Sequence, residues 1–273
     1  MELIDRDLQM LSLNMAYNGI INQEINYNIM KILVTNDDGI YSPGLLCLAN
    51  VAKAFGEVIV MAPDIEQSSM GQAITSGKPI SFKKSPIHFE GLEAFRVSGT
   101  PADCVALGVH LFQGIDLVLS GINIGANLGN SAWHSGTLSA ARQAVLFGIR
   151  GIALSVSVGV EDTDFDELEP YVIDALNEVI KAKDLKLLNI NFPRNPFGEI
   201  IWTSQSVRQY DGKIIANKDP MGRHQYWFTV IPLEPEDEGS DRWAVKQGKT
   251  SITPMILDLT DKNYLCQRTQ NED

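Results

Sequence analysis

Lys31-Ile32-Leu33-Val34-Thr35-Asn36-Asp37-Asp38-Gly39-Ile40 decides how the rest of this 273-residue chain is read. Ile32, Leu33 and Val34 form a short apolar run closed by Asn-Asp-Asp-Gly, which is turn composition. A continuous apolar run, with no polar alternation, suits a central parallel strand covered on both faces. In open parallel sheets the ligand crevice lies beyond the carboxyl ends of the strands, which is where Asp37 and Asp38 would sit. Two adjacent carboxylates repel each other and resist desolvation, so the pair points to a neutralising cation. Neighbouring strand residues face opposite sides, so both can reach one ion only if the chain leaves the strand there, and Gly39 permits that turn. Taken alone, an Asp-Asp-Gly also reads as a solvated turn or as an N-cap for a helix starting near Pro43.

The composition bounds the function classes. The chain is 44% hydrophobic, enough for one large α/β domain with an appendage or for two small domains. No stretch approaches the ~20 apolar residues of a membrane span. A net charge of -12 argues against binding a nucleic-acid polymer, whose footprint would be basic. Small anions stay admissible, because a metal and a few backbone N–H groups override the global field locally. Cys47, Cys104 and Cys266 are an odd number without metal-ligand spacing, which fits a reducing, cytoplasmic compartment. Residues 1–29 lack a basic n-region and a compact apolar core, so they read as an extension outside the pattern. The alternative is a short amphipathic helix using Leu8, Met10, Leu11, Leu13 and Met15.

Beyond the first strand the pattern alternates. Pro43 to Phe55 reads as a helix, Val58 to Pro63 as a second buried strand and Asp64 to Gly71 as a polar loop, the spacing of a βαβ unit. Lys78 to Val97 suggests shorter strands in an antiparallel excursion. Thr100, Pro101 and Asp103 open a helix as cap, first residue and favourable charge. Asp116 to Ser120 is a third strand, followed by the glycine-rich segment Gly121 to Asn130. Ser135-Gly136-Thr137 opens the helix Leu138 to Phe147, and Gly151 to Val156 is the next strand. Tyr171 to Ala182 reads as a helix and Leu187 to Phe192 as a strand. Ile201 to Trp243 reads as one long β-hairpin with the aromatic run Tyr226-Trp227-Phe228, suited to a lid or to subunit contact. Glu234 to Asp241 reads as a solvated acidic turn. The expected architecture is a three-layer α/β/α core with a mainly parallel sheet over residues 30–200, then a hairpin and C-terminal segment over 201–273.

Three strand ends therefore carry oxygen donors: Asp37 and Asp38, Ser68 and Ser69, and Asn123 and Asn127. That set suits a hard divalent cation such as Mg²⁺ or Mn²⁺. His88, His110, His134 and His224 show no paired spacing, which disfavours zinc. Asn130, Ser135, Gly136 and Thr137 lie at or before a helix start, where free N–H groups and the helix dipole hold phosphate; an ordinary Ser/Thr cap gives the same pattern. Gly99 and Thr100 offer a weaker case. Neither is a Walker A loop, since the Gly-Lys-Ser/Thr ending is missing.

The segments Val34 to Ile40, Ala62-Pro63-Asp64 with Gln67-Ser68, Ser98 to Cys104, Ser120 to Asn127 and Ser135-Gly136-Thr137 resemble, in order, the motifs of the survival protein SurE family. The resemblance covers roughly Met30 to Ser155, and Ser251-Ile252-Thr253-Pro254 resembles the family's C-terminal motif. It implies a divalent-metal-dependent nucleotidase acting on nucleoside 5′- and 3′-monophosphates, in some members also on short polyphosphate. It further implies a Rossmann-like core, a protruding hairpin and a C-terminal segment exchanged between subunits of a dimer or tetramer. By motif position Asp37, Asp38, Ser68 and Asn123 match the ligands of one cation per subunit, and Asn127, Ser135, Gly136 and Thr137 match the phosphate region. Gln67 stands where the family often has arginine, and Ile124 and Ala126 occupy variable positions.

The expected chemistry is attack of a metal-activated water on phosphorus, with Asp37 as the base that orients it and Asn127 stabilising charge on the phosphate. A direct nucleophilic role for Asp37 is the alternative. A metal-dependent de-N-acetylase would need histidines flanking Asp37, and a haloacid-dehalogenase phosphatase would need alternating instead of adjacent aspartates. A nucleotide-binding sensor without catalysis would keep the helix starts while tolerating loss of the oxygen cluster.

Overall fold

The apolar run at Ile32 to Val34 forms β1 (Lys31–Thr35) of a nine-stranded sheet in a computed structural model, which describes residues 29–159, 163–196, 198–206, 210–232 and 236–269. Then come α1 (Pro43–Ala52), β2 (Glu57–Pro63), β3 (Phe82–Lys84), β4 (Glu93–Val97), α2 (Pro101–Leu111) and β5 (Leu117–Ile124). A 3₁₀ turn (Gly129–Trp133) leads into α3 (Gly136–Leu146), β6 (Arg150–Val156), α4 (Phe165–Lys181), β7 (Leu187–Phe192) and β8 (Ile200–Trp202). The chain continues through β9 (Tyr210–Lys218), β10 (His224–Pro232), α5 (Asp241–Lys246), β11 (Thr250–Met255) and α6 (Lys262–Thr269). The described residues from Lys31 onward form one compact unit.

The sheet order is β3-β4-β2-β1-β5-β6-β7-β11-β8. Strands β4, β2, β1, β5, β6 and β7 run parallel; β3 pairs antiparallel to β4, and β11 antiparallel to β7. From β1 the chain winds first toward β2 and β4, then returns to add β5, β6 and β7 on the other side. The switch point, where a crevice opens in doubly wound sheets, therefore lies between the ends of β1 and β5.

Helices cover both faces, which is why the central strands are apolar throughout. Leu33, Ile59, Met61 and Val118 form one cluster with Cys104 and Val105 of α2 and Ala140 and Ala144 of α3. The alternate residues Ile32, Val34, Val60 and Leu119 are equally buried, on the side where α1 contacts α4. The packing of α1 on β5 tolerates no side chain at Gly44: a Cβ there would lie 2.1 Å from the Ile122 carbonyl oxygen. Gly44→Ala is therefore expected to cost about 1–3 kcal/mol of stability by overpacking, measurable by urea unfolding; an unchanged midpoint would refute the close contact.

Several elements depart from the sequence reading. β5 runs on through the glycine-rich segment to Ile124, with a register shift between Ser120 and Asn123. That irregularity, at a cis Gly121–Ile122 peptide, kept the strand from reading as one. α4 starts six residues before Tyr171, capped by the Asp164 carboxylate on the Asp166 and Glu167 N–H groups, and Pro170 sits inside it. The long hairpin is shorter than expected: β8 belongs to the main sheet and Asp241 to Trp243 is helical. β8 and β11 lie beyond the boundary expected at residue 200 and complete the core sheet. The expectations for Met1 to Asn28 fall outside the described residues.

The two-stranded β9/β10 hairpin turns at Asp219 to Gly222, where Arg223 Nε meets Asp219 Oδ2 at 2.7 Å. It leaves Ile214, Ile215, Tyr226 and Trp227 exposed. No described helix is long and apolar enough to cross a membrane. No disulfide joins any of the three cysteines.

Candidate active site

The turn after β1 is shaped by Asn36, whose buried amide accepts from the Gly39 N–H and donates to the Gly39 carbonyl, both at 3.1 Å. Gly39 adopts φ +93°, a left-handed conformation that L side chains resist. This is the departure from the strand that the paired carboxylates require. The loop after β2 folds back onto it: the Gln67 N–H donates to the Asp37 carbonyl at 2.7 Å, and Ile40 N–H to the Pro63 carbonyl at 2.9 Å. These two bonds bring Ser68 to the end of β1.

Asp37 is 4% exposed. Its Oδ1 accepts the Thr137 hydroxyl at 2.7 Å. Burial raises its pKa, opposed by that hydroxyl and by the backbone N–H groups of Asp37, Thr137 and Gly136. A Cβ at position 136 would lie 2.8 Å from Asp37 Oδ2, so only glycine admits the carboxylate to the start of α3. Asp38 is half-buried and accepts the Ile124 N–H from β5 at 3.3 Å. Its pKa is pushed up to about 7, by burial first, then by the Asp37 charge, with Glu66 adding to the effect. Among the described residues no lysine or arginine pairs with either carboxylate.

The remaining donors are oxygens. Ser68 is exposed and donates its hydroxyl to Glu66 Oε1 at 2.6 Å, keeping its lone pairs. Asn123 donates Nδ2 to the Gly125 carbonyl at 2.5 Å, leaving its carbonyl oxygen uncommitted. Asp37, Asp38, Ser68 and Asn123 thus come from the β1, β2 and β5 strand ends around the switch point, and their donor chemistry fits a hard divalent cation. One buried and one half-buried carboxylate, both with raised pKa values, are the arrangement such a cation relieves. No three described His, Cys, Asp or Glu side chains converge as a metal cage, which disfavours a zinc-type site.

Asn127 is buried, and both its amide hydrogens are used, on Thr137 Oγ1 at 3.2 Å and Ser155 Oγ at 2.8 Å. Asn127, Thr137 and Asp37 therefore form a chain of hydrogen bonds in which each proton points toward the carboxylate. Ser135 caps α3 by accepting the Leu138 N–H at 3.0 Å. At the other expected helix start, the Asp103 carboxylate already takes the Thr100 N–H at 2.9 Å, the place an anion would hold.

Sequence reasoning missed Glu66, Ser155, Asn189 and Asn191. The two asparagines grip the Asn127 peptide: its N–H donates to Asn191 Oδ1 at 2.7 Å, and its carbonyl accepts from Asn189 at 2.8 Å and Asn191 at 3.3 Å. Their signal was present, as two amides at i and i+2 on one face of an otherwise apolar strand. The expected solvated turn at Glu234 to Asp241 also fails at its last residue, because Asp241 is fully buried.

Thr137→Val should test the hydrogen-bonded chain, because it removes the shared hydroxyl and strands two buried polar partners. The expected loss is about 2 kcal/mol of stability and about 100-fold in turnover, with Thr137→Ser restoring most of both. A valine variant as active as the parent would remove Thr137 from the site.

The family described as Survival protein SurE matches residues 32–212. 5'-Nucleotidase SurE 1 of Thermus thermophilus is 43% identical over 240 residues, covering 86% of this chain and 95% of that protein. 5'-Nucleotidase SurE of Deinococcus radiodurans is 39% identical over 248 residues, covering 88% and 92%. The crystal structure of the SurE protein from Aquifex aeolicus superposes with a TM-score of 0.73 at 35% identity, over 89% of this chain and all of that one.

Proposed function

Because this chain belongs to the survival protein SurE family, we propose that it is a divalent-metal-dependent 5'-nucleotidase, releasing phosphate from nucleoside 5′- and 3′-monophosphates. The observation that supports the reading is the pair Asp37 and Asp38 at the switch point, bonded to Thr137 at the α3 helix start and to the Ile124 N–H of β5, with Ser68 and Asn123 on the adjoining strand ends. The curated relatives are named as 5'-nucleotidases. Short polyphosphate is a second candidate substrate.

These four residues would hold one Mg²⁺ or Mn²⁺. When bound, the cation supplies Lewis acidity toward phosphate oxygens and makes water a better nucleophile at neutral pH. Asp37, held by Thr137 and the α3 N–H groups, would be the residue that orients a water and accepts its proton. Ser135, Gly136 and Thr137 form the positive end of α3, whose N–H groups are taken by Asp37 and by the Ser135 hydroxyl, so its contribution to a phosphate in the crevice would be the field of the helix and no direct N–H contact. For Asn127 we favour a positioning role, since its amide hydrogens are spent on Thr137 and Ser155.

The exposed apolar side chains of the hairpin, with Ile256, Leu259 and Leu265 near the C-terminus, support a homodimer or homotetramer. Three cysteines without a disulfide support a cytoplasmic setting. The deacetylase reading lacks histidines beside Asp37, and the relatives named above carry nucleotidase names and none that describes a sensor.

The test is a phosphate-release panel over 5′- and 3′-mononucleotides, short polyphosphate and a generic phosphomonoester, each with Mn²⁺, Mg²⁺ or chelator. Metal-dependent release from mononucleotides is expected. Absence of release with every substrate and either metal would overturn the reading.

A further inference from the structure

We propose that Asp241, 204 positions beyond Asp37 (241 minus 37), is a positioning residue for the catalytic carboxylate. Its side chain is fully buried although it opens the short helix α5. Oδ1 accepts the Ser206 N–H at 3.1 Å, the Ser206 hydroxyl at 2.6 Å and the Arg242 N–H at 2.7 Å. Oδ2 accepts the Gly129 N–H at 2.8 Å. A carboxylate taken out of water is tolerated when its lone pairs are filled this completely.

The Gly129 bond is the one that reaches the active site. Gln205 donates to the Gly129 carbonyl at 2.7 Å, so both sides of residue 129 are gripped by the C-terminal part of the chain. Gly129 has φ +54°, and a Cβ there would overlap Ser206. Two residues earlier Asn127 is gripped in the same manner from β7. Asp241 and Gln205 therefore fix the loop that aims Asn127 at Thr137, and through it the Thr137 proton at Asp37. The inference rests on the reading of Asp37 as the catalytic carboxylate.

Asp241→Asn separates this role from simple anchoring. With its carbonyl oxygen kept at the Oδ1 position, asparagine retains the three bonds to Ser206 and Arg242 and places an NH₂ against the Gly129 N–H. The parent and the variant would be compared for kcat and KM on a nucleoside monophosphate and by amide hydrogen exchange. We expect kcat to fall about tenfold or more, with KM within about threefold, because the displaced groups act on the reacting centre. Gly129 should exchange faster while the Trp243 N–H, bonded to Ser240, stays protected. A folded variant with parental kcat would overturn the proposal. If Asp241→Asn does not fold, Gln205→Ala releases the other side of Gly129 and should also lower kcat; parental kcat in that variant would overturn it. An inactive parent would instead count against the nucleotidase reading. The clamp would then stand on faster exchange at Gly129 and Asn127 in the variant, and fall without it.

Discussion

Asp37→Asn is expected to lower metal-dependent phosphate release about 10³-fold or more, the largest effect of any single substitution at the site. The amide oxygen can still accept the Thr137 hydroxyl, while the NH₂ would face the α3 N–H groups that the carboxylate accepts. What disappears is the negative charge, and with it a cation ligand and the acceptor for the proton of water. In chelator the variant should be as stable as the parent or more so, because a carboxylate whose pKa is raised by burial has been removed from a site where ionisation is costly. Asp38 should also ionise more readily, since the Asp37 charge is the second cause of its raised pKa. Thermal unfolding in chelator and a metal-dependent activity assay measure both effects. Full activity with an unchanged fold would remove Asp37 from the mechanism.

The second large effect is the coupling of stability to pH and cation. In metal-free protein Asp38 has a folded-state pKa of about 7 against an ordinary 3.8. Between these values the folded state holds more protons than the unfolded one, so stability is fully present below about pH 4 and is lost as pH rises through about 7. Asp37, raised by burial, adds in the same direction. Binding of Mn²⁺ favours the ionised pair and reverses the trend. At a free concentration of 100 Kd the stabilisation is about 2.7 kcal/mol, or about 5–10 °C in Tm for a domain of this size. The Tm gain at a fixed Mn²⁺ concentration should be larger at pH 8 than at pH 5.5, where protons compete for the same oxygens. Melting curves with and without Mn²⁺ at the two pH values decide it. A gain independent of pH would mean that the cation binds elsewhere.

How legible the site was depended on how local its signals were. The Asn36 to Gly39 turn, the caps at Thr100 and Ser135 and the oxygen donors at three strand ends are written within a few residues of one another. Asn189 and Asn191 carried a weaker signal, because two polar residues on one face of a strand do not say what they hold. Asp241 carried a misleading one: in a run with Glu234, Glu236, Asp237 and Glu238 it looked like a solvent-facing charge. β5 was cut short because its bulge follows from pairing with β6, a non-local event.

By itself the sequence determined the α/β alternation, the buried parallel strands and the placing of Asp37 and Asp38 at a strand end, since apolar periodicity and turn chemistry act over neighbouring residues. Only the tertiary structure decided which groups those carboxylates meet. Asp38 finds the Ile124 N–H across 86 residues, Asp37 finds Thr137 across 100, and Gly129 finds Asp241 across 112. The physical reason is that a buried polar group must be matched by whatever donor or acceptor the packed layers bring within 3 Å or so, and that neighbour is set by how the layers pack around it.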